Sequence, residues 1–358
     1  MPAPDQPTTE LALPAFDAGT LARRVALAAL LAAAATVAVV LAGGRIHAFA
    51  DALQRGFDAT PGWVAVGVVF EALSLAGYVG LLSLVAGRAT PRIGTRESAQ
   101  ITLAGAGATR LLPTAGAGGA AVTVWALRRA GLRPLAAAQT LLAFLVVLYS
   151  VFLASIALSG AALTLGLVHS HGPRALSAIP SVAAILSLAV GLALAFRRRG
   201  EVDVEAGREC ERRDRYARLR RSGALIGRAV RDALELVRSG DSRLAGAVAY
   251  WVFDAAVLWS MLHAFGSPPA LSVIALAYLV GQVANTLPIP GSVSGGMAGV
   301  LIAFGVPVAL ALPSVLAYRM IAVWLPSPAA IAAIPGLRST MARWAREDTA
   351  AVADVSAG

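Results

Sequence analysis

The chain has 358 residues, of which 58% are hydrophobic and 14% charged, and its mean hydropathy is +0.72. Soluble domains run at roughly 45–50% apolar and about 25% charged, so this composition excludes an ordinary water-soluble globule and marks an integral membrane protein. The 30 basic residues, all arginine, exceed 20 acids and give a formal net charge of +10, an excess that in a membrane protein concerns first which loops face the cytoplasm. The single cysteine, Cys210, excludes an internal disulfide and a cysteine-rich metal site.

Residues 1–20 are rich in Pro and Thr and read as a disordered tail. Arg23 and Arg24 before an Ala-rich stretch imitate a signal peptide, but about 18 apolar residues is long for its hydrophobic region. The stretch reads instead as a membrane helix, which needs roughly 20 apolar residues. Six stretches qualify as full crossings: 21–42, 63–86, 135–168, 175–196, 244–265 and 308–334. Two others are interrupted. Segment 98–127 is broken by Arg110, Pro113 and the glycines at 116, 118 and 119, and arginines flank both of its ends. Because arginines gather on the cytoplasmic side, both ends belong there, which a single crossing cannot satisfy. A re-entrant pair of half-helices satisfies it, provided protein or a wet cavity shelters the broken backbone. Segment 270–304, broken by Pro288, Pro290, Gly291, Gly295 and Gly296, reads as a second hairpin entering from outside.

The expected fold is therefore an all-α polytopic membrane protein of six full crossings and two re-entrant hairpins, with both termini cytoplasmic. In this topology Arg45, Arg55 and Arg174 lie outside, Arg110 and Arg319 lie at membrane depth, and the other 25 arginines are cytoplasmic. Orientation thus accounts for the basicity without any nucleic acid. The largest hydrophilic segment, 197–243, is a cytoplasmic loop holding Cys210. Within 215–238, Tyr216, Leu219, Gly223, Ile226, Val230, Ala233 and Val237 form an apolar stripe at helical spacing. Such a helix suits an anionic cytoplasmic leaflet or serves as a solvated connector between two halves. Residues 335–358 read as a cytoplasmic tail.

The two halves repeat one another. Val69-Phe-Glu-Ala-Leu-Ser-Leu75 matches Val252-Phe-Asp-Ala-Ala-Val-Leu258, and each string carries a carboxylate, Glu71 or Asp254, after Val-Phe. Arg110-Leu-Leu-Pro113 matches Asn285-Thr-Leu-Pro288, and Thr140-Leu-Leu-Ala-Phe144 matches Ser314-Val-Leu-Ala-Tyr318, in the same order. Residues 21–168 and 175–334 then each hold three crossings and one hairpin, with opposite orientation. Inverted repeats with paired Gly/Pro interruptions are the pattern of transporters whose substrate sits near the midplane between the halves.

The string Asn285-Thr-Leu-Pro-Ile-Pro-Gly-Ser-Val-Ser-Gly-Gly296, with Phe304-Gly-Val-Pro307, Tyr318-Arg319, Tyr250-Trp-Val-Phe-Asp254 and Ala264-Phe-Gly266, resembles the signature of the lysylphosphatidylglycerol synthase transmembrane family, the flippase-like domain. The resemblance runs from about Arg88 to Ile334 and is strongest from Tyr250 onward. It implies a bacterial plasma-membrane translocase. Members fused to a soluble aminoacyl transferase make an aminoacylated phospholipid and move it to the outer leaflet; a chain ending at Gly358 is expected to be a stand-alone translocase domain, whose lipid is made by a separate enzyme. The family usually reads Pro-Gly-Gly-x-Gly followed by an acid. Here Ser292 and Ser294 replace glycines and Met297 stands where the acid is expected, which argues against a lysyl lipid as cargo.

Carrying a polar head through hydrocarbon requires replacement partners for its charge. Arg110 and Arg319 are candidates to hold a phosphate through their planar forks. Thr114 and Ser292 would add hydroxyls, and the half-helix N-termini after Pro113 and Pro290, with Pro288 and Gly291 shaping the second break, would turn partial positive charge toward it. Gln282 and Asn285 either bind substrate or join helices. Glu71 and Asp254 are the charge partners, with Asp254 expected to neutralise Arg319. No cofactor is expected, and His169 and His171 before Pro173 read as a solvated turn rather than a metal site. The alternatives are a membrane-bound lipid-modifying transferase, for which no positioned base or metal-binding carboxylate pair is evident, and an accessory subunit of a cell-envelope lipid or glycan pathway. No nucleotide-binding loop is present, so any energy source is a gradient, a partner or none.

Overall fold

The computed structural model describes residues 59–111, 117–167, 173–196, 215–284, 291–324 and 326–357. Within hydrocarbon every backbone N–H and C=O must be satisfied internally, and every described element is helical. In chain order these are α1 (Pro61–Ala89), α2 (Thr95–Leu111), α3 (Ala117–Arg129), α4 (Pro134–Thr164), α5 (Arg174–Phe196) and α6 (Arg215–Arg238). A 3-10 turn (Ser242–Leu244) leads into α7 (Ala245–Phe265), followed by α8 (Leu271–Ala284), α9 (Ser292–Ala303), α10 (Val308–Arg319), a π-turn (Met320–Trp324) and α11 (Pro326–Ala357). Pro61 and Pro134 open α1 and α4 at the first helical position, where a fixed φ helps and the missing N–H costs nothing.

Five of these helical stretches are long and apolar enough to cross a membrane: Pro61–Ala89, Pro134–Thr164, Arg174–Phe196, Ser242–Phe265 and Val308–Ala350. They match five of the six expected crossings; the sixth, 21–42, lies outside the described residues. Along α5 the side chains of Ile179, Val182, Ile185, Leu186, Val190 and Phe196 are each more than half exposed, a surface that hydrocarbon covers and water does not. The protein is a multi-pass, all-helical membrane protein.

At the centre α1 and α7 run antiparallel in close contact. The Thr60 N–H donates to the Ala264 carbonyl at one end (3.1 Å), and the Ser74 hydroxyl donates to the Tyr250 carbonyl farther along (2.9 Å). The approach is set by glycine: a Cβ on Gly246 would collide with the Gly77 carbonyl oxygen, and one on Gly77 would stand 2.7 Å from that of Gly246. Phe70 and Phe253, equivalent positions in the two Val-Phe-acid strings, stack on each other with centroids 5.8 Å apart. Gly67 against Ser260 and Gly77 against Tyr250 form a second matched set. Gly67 and Tyr250 each lie four residues before their carboxylate, and Gly77 and Ser260 six after. Trp251 ties this pair to α4 by donating its indole N–H to the Leu148 carbonyl (2.8 Å).

One end of the bundle collects the arginines. Arg88 donates to the Ser239 hydroxyl (2.7 Å), Arg92 pairs with Asp348 (2.5 Å), Arg343 pairs with Glu97 (3.2 Å), and α3 ends on Arg128 and Arg129. From this end α2 rises and α3 returns. The two are clasped where the Gly119 N–H donates to the Thr109 hydroxyl (2.9 Å), with Gly118 against the Ala108 carbonyl. At about 1.5 Å per residue, these helices are each shorter than the roughly 30 Å of a bilayer core. The second short pair, α8 and α9, roots at the opposite end, beyond Phe265 and Gly266. It closes over Gly281, which lies against Gly296 and the side chain of Met297. The residues that join the helices of each pair, 112–116 and 285–290, lie outside the described residues.

Two segments differ from the sequence expectation. The C-terminal tail is helical through Ala357 and packs on α2, burying Trp344 and Leu337 and placing the Thr340 hydroxyl on the Gln100 side-chain carbonyl (2.9 Å). Its charged stretch pairs internally, Arg343 with Glu347, as well as with α2, so charge here marks a docked helix rather than a tail. In α6 the docked face is Ala229, Ala233 and Leu236, beside α4 and α5, with Gly227 against the Leu194 carbonyl and Arg231 capping the end of α5 through the Ala195 carbonyl (2.9 Å). Ile226 and Val237 of the expected stripe stay exposed.

The glycine contact makes a prediction. Gly246→Val forces a branched side chain into the Gly77 backbone and should destabilise the detergent-solubilised protein by about 1–3 kcal/mol or more, as overpacking does. Gly80→Ala, where a Cβ meets nothing within 4 Å, should leave the thermal midpoint unchanged or raise it slightly. Equal midpoints for both variants would contradict the close crossing.

Glu97 yields a second one. Its burial raises the carboxyl pKa, but the N–H groups of Glu97 and Gly94 and the Arg343 guanidinium outweigh this and hold it below the usual glutamate value. A depressed carboxyl stabilises above its unfolded value and loses that contribution as pH falls through the folded one. Acidification below about pH 4.5, the ordinary glutamate value, should therefore loosen α11 from α2. Faster amide exchange at 94–100 in wild type, with a smaller change in Glu97→Gln, is the expected result.

Candidate functional site

Asp254 sits midway along α7 on the face turned away from lipid. A carboxylate there needs donors, and the neighbouring helices supply them. The Tyr278 hydroxyl of α8 donates to Oδ2 at 2.5 Å, the Tyr318 hydroxyl of α10 at 3.2 Å, and the Gln282 amide of α8 at 3.3 Å. Gln282 also donates to the Tyr318 hydroxyl (3.1 Å), so a connected network links three helices. Tyr278 and Gln282 are four residues apart and share one face of α8. Asp254 is 7% exposed and both tyrosines 1%, so the network is closed off from the surface.

Glu71, the equivalent carboxylate on α1, is 4% exposed. It lies close enough to act electrostatically on Tyr250 and Tyr318, so both halves contribute to one polar region. Arg319 ends α10 directly before the π-turn and is half-buried, acting electrostatically on Tyr318. Wide turns of this kind recur at functional positions. Among the ion pairs of the described residues none joins Arg319 to Asp254, contrary to expectation. Successive helical side chains point about 100° apart, so with Tyr318 aimed at Asp254 the next residue is turned elsewhere.

The remaining candidates divide by location. Gly291 caps α9 with φ +81°, a left-handed conformation that suits glycine, and Ser292 is the first residue of that helix. Arg110 is the penultimate residue of α2, with its side chain outside the described part. Pro113, Thr114, Asn285, Pro288 and Pro290 lie outside the described residues, as do His169, His171 and Cys210. Sequence reasoning missed Tyr278 and used Tyr318 only as the end of a repeat string and the neighbour of Arg319, not as a site residue. The usable signal was the Tyr278/Gln282 spacing on a helix whose other residues are apolar apart from Ser272 at its start. Among the described residues no three His, Cys, Asp or Glu side chains gather as metal ligands.

The network predicts the effect of losing its donors. Tyr278→Phe and Tyr318→Phe each remove a hydroxyl bonded to a charged acceptor, worth about 1.5–3 kcal/mol. Each should lower the thermal midpoint. The double variant should depart from the sum of the two because both act on one carboxylate. Strict additivity would show that the two hydroxyls do not share it.

No curated protein matches the chain. The family model described as lysylphosphatidylglycerol synthase TM region matches residues 24–330, covering all described helices from α1 to α10 and linking the chain to membrane-lipid function. On that match, and on a helical membrane body with a buried polar centre, the chain belongs to the lysylphosphatidylglycerol synthase transmembrane family.

Proposed function

We propose that the chain is a lipid translocase that moves a phospholipid or other phosphate-bearing lipid between leaflets. The observation that carries this reading is the buried network around Asp254. Hydrocarbon penalises unpaired polar groups by several kcal/mol, and a protein that only needed to sit in a membrane would gain nothing from concentrating them beside two interrupted helix pairs. In this reading α2–α3 and α8–α9 are re-entrant hairpins inside six crossings, related as an inverted repeat. Their short lengths, their roots at opposite ends and the Phe70–Phe253 stack support it. Arg110 and Arg319 grip the lipid phosphate, with Thr114, Ser292 and the helix starts after Pro113 and Pro290 adding donors. The arginine-rich end faces the cytoplasm, and α6, with Ile226 and Val237 exposed, rests at the anionic leaflet. A separate enzyme supplies the lipid.

Topology is tested by single cysteines in a Cys210→Ala background. Arg129→Cys should be labelled only from the cytoplasm and Ser170→Cys only from outside; outside labelling of Arg129→Cys would refute the first hairpin. Function is tested in liposomes with fluorescent phosphatidylglycerol, phosphatidylethanolamine and lysyl-phosphatidylglycerol, by following loss of quencher protection. Transfer of an anionic lipid with lysyl lipid excluded is expected. Arg319→Lys keeps the charge but loses the planar fork, so it should cut the transfer rate about tenfold or more while shifting the thermal midpoint little, in line with about 1.4 kcal/mol per tenfold. No transfer of any lipid by the wild type would overturn the reading.

A further inference from the structure

Asp254 joins a fixed element to a divided one. Its helix, α7, is locked to α1 by glycine contact, whereas Tyr278 and Gln282 belong to α8, one arm of a short helix pair, and Tyr318 belongs to α10 just before the π-turn. The hydrogen bonds described between α7 and α8 both go to this one carboxylate, while α10 also reaches α7 through the Ser314 hydroxyl and the Met261 carbonyl and α8 through Tyr318 and Gln282.

We propose that Asp254 is a proton-binding site whose charge state ties or releases the α8–α9 pair. As a carboxylate it accepts from two hydroxyls and an amide, and bonds to an ionised acceptor are roughly twice as strong as neutral ones. When it takes a proton, one oxygen becomes a donor and must find an acceptor. The surrounding groups allow this: a tyrosine hydroxyl both donates and accepts, and Gln282 presents either its N–H₂ or its carbonyl by rotating its amide. The displaced tyrosine hydrogen then goes to the Gln282 carbonyl, which rotation of the amide brings to the place beside the Tyr318 hydroxyl now held by the amide nitrogen. Both charge states are thus hydrogen-bonded, with the tie weaker in the neutral one. The proton arrives from water on one side and departs to water on the other.

Other ionisable groups share these surroundings. Glu71 and Tyr78 come from α1, Tyr149 from α4, Tyr278 from α8, Tyr318 and Arg319 from α10, and Tyr250 from α7 itself. Glu71 is the second carboxylate of the region, so the test must separate its proton from that of Asp254. A proton gradient would also supply the energy source for which the sequence offers no nucleotide-binding loop. The coupling of the proton to lipid transfer rests on the translocase reading; proton binding does not.

The test is infrared difference spectroscopy of the full chain in vesicles of phosphatidylethanolamine and phosphatidylglycerol, stepped between neutral and acidic pH. Wild type should show a protonated-carboxyl band that Asp254→Asn loses and Glu71→Gln retains. Tyr278→Phe, which keeps the carboxyl but removes its shortest bond, should retain the band at a displaced frequency and covers the case in which Asp254→Asn does not fold. An identical difference spectrum in wild type and Asp254→Asn, or an undisplaced band in Tyr278→Phe, overturns proton binding. In the same vesicles, fluorescent phosphatidylglycerol should move severalfold faster under one direction of pH gradient than the other, and Asp254→Asn should lose this dependence. Equal wild-type rates under both gradients, with the band assigned to Asp254, overturn the coupling. A band assigned to Asp254 without transfer of any lipid upholds proton binding and overturns the translocase reading.

Discussion

The close antiparallel crossing of α1 and α7 is the constraint on which the rest of the molecule depends. Between helices in lipid there is no water to expel, so association rests on packing and hydrogen bonds, and both improve as the backbones approach. Gly77 and Gly246 permit an approach that any side chain would block. The crossing carries Glu71 and Asp254 into the middle of the protein, each held by its helix rather than by a loop. It also leaves the outer faces free, so that α4 packs on both helices, α2 on α1, and α8 and α10 on α7.

Around that fixed pair, the two short helix pairs have different attachments. The first is clamped at its root by α11, through Gln100 with Thr340, Glu97 with Arg343 and Arg92 with Asp348. The second has its polar tie at depth, through Asp254. A matched sequence plan has thus produced an unequal pair of anchors, one at an aqueous edge and one in the interior. Water competes for the polar contacts of the first and not for those of the second, so each of the latter counts for more.

Much of this architecture was legible in the sequence because the membrane imposes a length rule. Five helices long and apolar enough to cross, and the shortness of α2, α3, α8 and α9, follow from apolar run length and from Pro and Gly, signals that lipid makes decisive. The Val-Phe-Glu and Val-Phe-Asp strings located the two central carboxylates. What sequence could not supply was rotational phase. Tyr278 in an apolar run is indistinguishable from a core aromatic until its face is known, and Tyr318 and Arg319, one residue apart, exchange roles with a turn of about 100°. The expected stripe of α6 shares Ala233 with the docked face but was centred to one side of it, and the helical C-terminus was read only as a tail because charged residues that serve contacts look like charged residues that serve solvent.

The π-turn gives phase a further consequence. A π-turn holds one residue more than an α-turn, so whatever follows Met320–Trp324 is rotated by about 100° relative to an uninterrupted α-helix. The face of α11 that meets Gln100 and Glu97 is set by that inserted residue. The wide turn therefore acts as an indexing device between membrane interior and aqueous edge. It fixes the angle at which the last crossing delivers its C-terminal end, so a slip of the inserted residue along the helix would turn Arg319 without unseating the clamp below it.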